Sequence, residues 1–183
     1  MRKLLLVFAV LFSFNAKAQI DLSVNPVMLL FRNIDFAAEY RAITNWGLEL
    51  SPGIGFSNYS IANLDYKSSG FGARFIAKYY FGPEKSCDKW NIGPYFKYGT
   101  NTYRASDSNG QIKVTSRKFA VGFYTGYKWV FDNNLIFELG FGLGRAFINE
   151  YTTNNSTVDL GDFISLFSID TTGKLALGYR FGN

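Results

Sequence analysis

At 183 residues the chain has room for a single domain. With no histidine and one cysteine, Cys87, it excludes an imidazole base, an intramolecular disulfide and a cysteine-based metal site. Its formal charge of +5 makes no case for nucleic acid, because Arg2, Lys3 and Lys17 lie in an N-terminal segment that reads as removable and the remainder carries only +2.

That segment is residues 1–18. Arg2 and Lys3 supply a positive start, Leu4 to Phe14 is apolar apart from Ser13, and Ala16-Lys17-Ala18 fits a small-residue cleavage site. The eleven-residue apolar run falls well short of the roughly 20 residues that span hydrocarbon, so a signal peptide is expected and not a membrane helix. No cysteine follows the cleavage site, which argues against a lipoprotein anchor. The mature domain is expected at residues 19–183.

From Gln19 onward the pattern is alternation. Eight strands are predicted, approximately Ile20–Leu30, Ile34–Ala42, Trp46–Ser57, Gly70–Phe81, Trp90–Ala105, Ile112–Phe131, Leu135–Tyr151 and an eighth ending at Phe181. In the third, Trp46, Leu48, Leu50, Pro52, Ile54 and Phe56 oppose Gly47, Glu49, Ser51, Gly53 and Gly55. The fourth, sixth and seventh repeat this, the seventh most strictly, with Leu135, Phe137, Leu139, Phe141 and Leu143 set against Glu138, Gly140, Gly142 and Gly144. A soluble sheet hides its large residues in a core. Here the small and charged face reads as the confined one, which predicts a closed barrel turned outward toward lipid. Past the signal no apolar run is long enough for a membrane helix, and lipid cannot satisfy an open sheet edge.

Connection lengths agree. With both termini on the periplasmic side, the second connection (Ile43-Thr44-Asn45) and the sixth (Asp132-Asn133-Asn134) are hairpin-like, while the fourth, holding Cys87, is longer than such barrels prefer. Three polar outer loops are expected at Asn58–Ser69, Ser106–Gln111 and Thr152–Asp162, after a short first outer connection around Phe31 to Asn33. This topology puts Trp46, Trp90 and Trp129 on the periplasmic rim with Tyr40, Tyr79, Phe81, Tyr179 and Phe181, an interfacial girdle. Phe56, Tyr59, Phe71, Tyr103 and Phe119 are expected to form the outer one.

Together these features resemble the small eight-stranded outer-membrane barrels, the OmpA/OmpX-like group with its generic outer membrane protein β-barrel domain, over the whole mature chain. The resemblance implies an eight-stranded antiparallel up-and-down transmembrane β-barrel in a Gram-negative outer membrane, and a C-terminal aromatic read by the barrel assembly machinery. The matching stretch is Leu175-Ala176-Leu177-Gly178-Tyr179-Arg180-Phe181, with the departure that Gly182 and Asn183 follow it. With no peptidoglycan-binding domain after the barrel, cell-wall tethering is not expected.

The polar face would then line a lumen only wide enough for side chains to fill. It is expected to hold Asp35, Glu39, Arg41, Glu49, Arg74, Lys78, Lys97, Lys128, Glu138, Arg145, Lys174 and Arg180. Such charges must pair or find water. Glu138, between the strands bearing Lys128 and Arg180, is the expected hub of a salt-bridged plug. The excess of basic over acidic residues in that set motivates an anion path as the alternative.

Catalysis is disfavoured. There is no histidine and no G-x-S-x-G elbow, and Gly140-Phe141-Gly142-Leu143-Gly144 has a spacing of two with no helix to follow. Those glycines are expected to relieve crowding on the inner face. Asp107-Ser108-Asn109-Gly110 reads as a turn lacking the further ligands of a calcium loop. Asn58-Tyr59-Ser60 and Asn155-Ser156-Thr157 match glycosylation acceptors, of little weight in a bacterium. No cofactor or metal is expected. The segment Phe163–Ile169, apolar on both faces, is either the upper part of the eighth strand or a partner patch formed by Phe163, Leu166 and Phe167. The leading expectation is a non-enzymatic, monomeric barrel in contact with outer-membrane lipid, with an envelope-structural role or a surface or envelope protein partner. A narrow channel or transporter for small or apolar solutes is the alternative, and a secreted soluble ligand-binding barrel the second.

Overall fold

The structure, a computed structural model, describes residues 19–30, 32–61, 64–107, 110–153, 156–159 and 168–182. The expected signal segment 1–18 and the patch Phe163, Leu166 and Phe167 lie outside these residues.

The alternating segments become strands, each antiparallel to the next: β1 (Ile20–Val24), β2 (Asn33–Ile43), β3 (Trp46–Ile61), β4 (Leu64–Tyr80), β5 (Lys89–Asp107), β6 (Gly110–Val130), β7 (Leu135–Thr153), a short β8 (Ser156–Asp159) and β9 (Ile169–Phe181). A five-residue helix, α1 (Pro26–Leu30), follows β1. Neighbours pair in sequence order from β1 to β7, β7 then pairs β9, and β9 returns to β1 with Ile20 opposite Phe181. Eight strands close a ring, while β8 forms a hairpin on the upper end of β7, with Thr153 opposite Ser156. Both described chain ends and the connections after β2, β4 and β6 lie at one end of the ring.

The faces sort as lipid demands. Phe36, Leu50, Ile54, Phe75, Phe96, Phe123, Phe141 and Leu177 point outward and exposed, whereas Glu49, Lys78, Lys128, Glu138 and Asp170 are buried inside. On β4 the outward residues run from Phe81 to Phe71, about 33 Å of strand and about 25 Å of height at a tilt near 40°, the thickness of an outer-membrane apolar band. Aromatic side chains cluster at the end of the ring that holds both described chain ends. Trp46 stacks edge-on against Tyr79 (5.4 Å), Tyr79 against Phe81, Trp90 against Tyr127 and Tyr179 against Phe181, while Trp129 lies tilted against Tyr127 (4.4 Å).

Four expectations are corrected. The first strand ends at Val24 and not at Leu30, because Pro26 has no N–H for a ladder and its fixed φ suits the first turn of a helix, which Met28 closes by donating to the Asn25 carbonyl. The outer loops at Asn58–Ser69, Ser106–Gln111 and Thr152–Asp162 are largely strand: β3 and β4 stay in register to Ile61–Leu64, β5 and β6 to Asp107–Gly110, and β7 turns into β8. Water on both sides of these arms removes the apolar alternation that marks a strand lower down. Tyr103 leaves the outer girdle for the inner face of β5, where its ring lies 6.3 Å from Tyr66, and Tyr98 takes the outward position. Arg145 is exposed on the outward face of β7 with Leu143 and is not in the lumen. A bulge then inserts Phe147, since Phe119 faces Ile148 while Ala120 faces Ala146. Both Phe147 and Ile148 therefore point outward, and the phase flips to bury Asn149.

The long fourth connection is folded under the barrel. Ser86 and Cys87 take left-handed backbone angles (φ 58° and 45°) that swing the chain back beneath the mouth. Arg180 fixes it there, donating to the carbonyls of Lys85 (2.6 Å), Ser86 (2.8 Å) and Cys87 (3.1 Å). At the rim outside it, Asp132 is held below the usual carboxylate range by its bond to the Lys85 ammonium.

Candidate functional site

Alternation aims a charged residue inward from nearly every strand, and the lumen brings most of them together in tiers. Lowest, Arg180 grips Asp21 with two bonds of 2.7 Å, and Lys128 reaches across to Asp21 (3.0 Å) and Glu39 (2.7 Å). Above this, Glu39, Glu49 and Glu138 converge within 4.8 Å of one another, a spacing that could hold a metal ion. The cation among them is Lys78, whose Nζ lies 2.9, 2.5 and 2.6 Å from the three carboxylates. Lys174 adds bonds to Glu49 (2.6 Å) and Glu138 (2.7 Å). Tyr80 donates to Glu39, Tyr124 to Glu138 and Ser51 to Glu49, so each carboxylate spends its remaining lone pairs inside the protein. A third tier centres on Asp170, which accepts from Tyr95 (2.8 Å), Lys97 (3.1 Å) and Lys118 (2.8 Å). Arg74 beside it donates to the Thr172 hydroxyl.

Aromatic rings fill what the charges leave. Ile76, Tyr95 and Tyr124 are fully buried in mid-lumen. Room for the two rings comes from glycines of β6 and β7. A Cβ at Gly140 would land on the Tyr124 ring, and one at Gly142 or Gly144 would crowd Tyr95. The glycine run Gly140-Phe141-Gly142-Leu143-Gly144 is thus a packing device.

Of the expected network, Glu39, Glu49, Lys78, Lys97, Lys128, Glu138 and Arg180 are joined by ion pairs. Four members need correction. Arg74 faces inward, but among the described residues no ion pair joins it to an acid, and it donates to the Thr172 hydroxyl instead. Arg145 faces outward, as described. Arg41 faces inward near the periplasmic rim, half-buried, and no described acid lies within ion-pair reach of it. Glu138 is a hub, but for Lys78 and Lys174 and not for Lys128 and Arg180: Lys128 crosses the lumen to Asp21, and Arg180 pairs with Asp21 directly opposite it on the adjoining strand. Sequence reasoning missed Asp21, Lys118 and Asp170. The signal for two of them was present: stepping back two at a time from Arg180 through Lys174 reaches Asp170, and the outward set Ile20, Leu22, Val24 leaves Asp21 inside. With these changes, among the described residues, eight inward basic side chains (Arg41, Arg74, Lys78, Lys97, Lys118, Lys128, Lys174, Arg180) face six acidic ones (Asp21, Asp35, Glu39, Glu49, Glu138, Asp170), and the basic excess that motivated an anion path shrinks.

Above the plug the lumen widens into a cavity of about 200 Å³, lined by Asn33, Asp35, Gly53, Gly72, Arg74 and Lys97 among others, that opens toward the outer hairpins.

A family profile described as a protein of unknown function, DUF3575, matches residues 3–176. The chain belongs to the DUF3575 family. No curated protein matches it. Among solved structures this DUF3575 barrel is similar to a major outer membrane protein from Thermus thermophilus, at 12% identity over 90% of this chain and 98% of that one, with a TM-score of 0.55. It is likewise similar to CarO of Acinetobacter baumannii, at 11% identity over 90% and 96% of the two chains, with a TM-score of 0.51. At such identities the likeness concerns the fold, and the fold is that of bacterial outer-membrane barrels.

Proposed function

We propose that this protein is a non-enzymatic, non-conducting barrel of the Gram-negative outer membrane, exported by residues 1–18, that acts through the hairpin arms it raises above the membrane. The observation that carries this reading is the lumen. Lys78, Lys128, Glu49, Glu138, Tyr80, Tyr95 and Tyr124 are all buried to within 2% and bonded to one another or to their neighbours across the channel, with the 82–88 segment folded beneath them. A wall this complete serves stability and not passage, and carboxylates clamped by lysines are poor bases or nucleophiles. What projects into the surroundings is the upper part of β3–β4, β5–β6 and β7–β8, the natural place for an envelope or surface partner. Planar-bilayer recording of the purified barrel is expected to give no conductance steps. Stable, reproducible steps would overturn the closed-barrel reading.

A second reading, lateral passage of small apolar solutes, is favoured by the shortness of β1. Above Val24 and Leu177 no described strand joins β2 to β9, and α1 lies against both in its place, exposing Leu29 and Leu30. Asp35, Ser51 and Arg74 line both the upper cavity and a separate gap of about 10 Å³ beside Val24 and Asn25. Replacing Pro26–Leu30 by a Gly-Ser linker should raise uptake of an apolar dye by whole cells if this wall is a route. Unchanged uptake removes the reading.

A further inference from the structure

The outward face changes character above its apolar band. On β4 the outward positions climb from Phe75 and Phe71 to Lys67, on β5 from Phe96 and Tyr98 to Arg104, and on β6 from Phe123 and Phe119 to Arg117 and Lys113. The register sets Lys67 opposite Arg104 and Arg104 opposite Lys113. Three exposed cations therefore stand in one row across three adjacent strands, about 10 Å from end to end. Below the row on the same face come Arg117, opposite Thr100 and Glu150, and then, about 13 Å further along the strands, Arg145, opposite Val121.

Like charges directly opposite one another weaken a strand pair, and this row holds two such juxtapositions in succession. Among the side chains the structure describes, the acid sharing this face is Glu150, opposite Arg117, and no ion pair joins Lys67, Arg104, Lys113, Arg117 or Arg145 to an acid. An external anion would relieve the repulsion. Height says which kind. Lys67 lies four residues beyond Phe71, about 13 Å along the strand and about 10 Å above the apolar band, at the level of lipid headgroups. We propose that Lys67, Arg104 and Lys113, with Arg117 and Arg145 below them, bind the phosphate groups of a multiply phosphorylated lipid headgroup in the outer leaflet. This rests on the reading that the hairpin end of the barrel faces outward in the membrane. Two tiers of cations on one face suit a headgroup with more than one phosphate, whose acyl chains lie along Phe71, Tyr98 and Phe119.

The test uses the full barrel in phosphatidylcholine nanodiscs, titrated with bisphosphorylated lipid A or with its dephosphorylated form and read by native mass spectrometry. The wild type is expected to retain the phosphorylated lipid, with affinity falling as salt rises. K67Q/R104Q/K113Q is expected to bind it roughly a hundred-fold more weakly, from the usual worth of three basic residues at an anionic surface. The charge-conserving K67R/R104K/K113R should bind as wild type. Equal binding by the neutral triple variant, equal binding of dephosphorylated lipid A, insensitivity to salt, or tighter capture of soluble triphosphate would each overturn the proposal. Should the neutral variant fail to fold, the salt series and the dephosphorylated lipid on the wild type still decide. A wild-type chain that fails to insert, or that shows no heat-modifiable gel migration, condemns the membrane reading itself. One that inserts and ignores lipid A sinks this proposal alone.

Discussion

Lys78 stands where a metal ion would, and it does a metal's electrostatic work with an ammonium tethered to the wall. Its three carboxylate partners come from β2, β3 and β7, so one side chain ties together strands from opposite sides of the ring. Removing a member of such a set strands the others. Glu138→Ala leaves Lys78 and Lys174 short of a partner and Tyr124 without an acceptor, and should cost about 3–5 kcal/mol. Urea unfolding from lipid vesicles measures this, and Glu138→Gln should cost less because it keeps an acceptor in place. That such a network exists was legible, because alternation alone says which charges face a space too narrow for water. Which acid meets which base was not. Arg145 shares the parity of Leu143 and Phe141, and only its position at the top of the apolar band explains how a charge is tolerated on that face. Partner choice depends on height around the ring, which the shear between strands sets and a linear pattern does not carry.

At the scale of elements, strands within the membrane were readable and strands above it were not. In lipid, a strand's two faces meet different surroundings and its composition alternates. In the arms, both faces meet water, so Asn58–Ser69 looks like a loop although its register continues unbroken from the barrel. The lipid-facing assignment has a direct consequence at Phe141, exposed midway between the Trp129–Phe137 rim and Arg145. Phe141→Arg is expected to destabilise the folded barrel in bilayers by about 2–4 kcal/mol, while the same change at exposed Ile112, in the arm above the band, should cost about 1 kcal/mol or less. The fourth connection makes a second testable unit. Cys87 is buried beneath the mouth, and burial pushes its thiol up to about 11. Relative to an ordinary cysteine thiol near 9, the thiolate at pH 8 is scarcer by about a hundred-fold, and maleimide labelling of the folded protein should be correspondingly slow. Raising the pH toward 11 should accelerate it. Arg180→Gln removes the clamp on the Lys85, Ser86 and Cys87 carbonyls and should speed labelling at pH 8 without unfolding the ring.

Taken as a whole, the molecule inverts the usual arrangement, with oil outside and ions within, and its stability is concentrated in the lumen. That inversion was evident from composition and alternation, as was the ring of eight. Its closing contact has a cost in chain order. The Asp21–Arg180 clamp joins residues 159 positions apart, a separation whose closure entropy is about 4–5 kcal/mol. Until β9 is made and docked, β1 and β7 each present a bare edge, and Asp21, Glu49 and Glu138 lack the Arg180 and Lys174 partners that arrive only with it. Ring closure is therefore an all-or-none final event. A chain truncated before Ile169 should collect as an aggregation-prone open sheet, and not as a slightly weakened barrel.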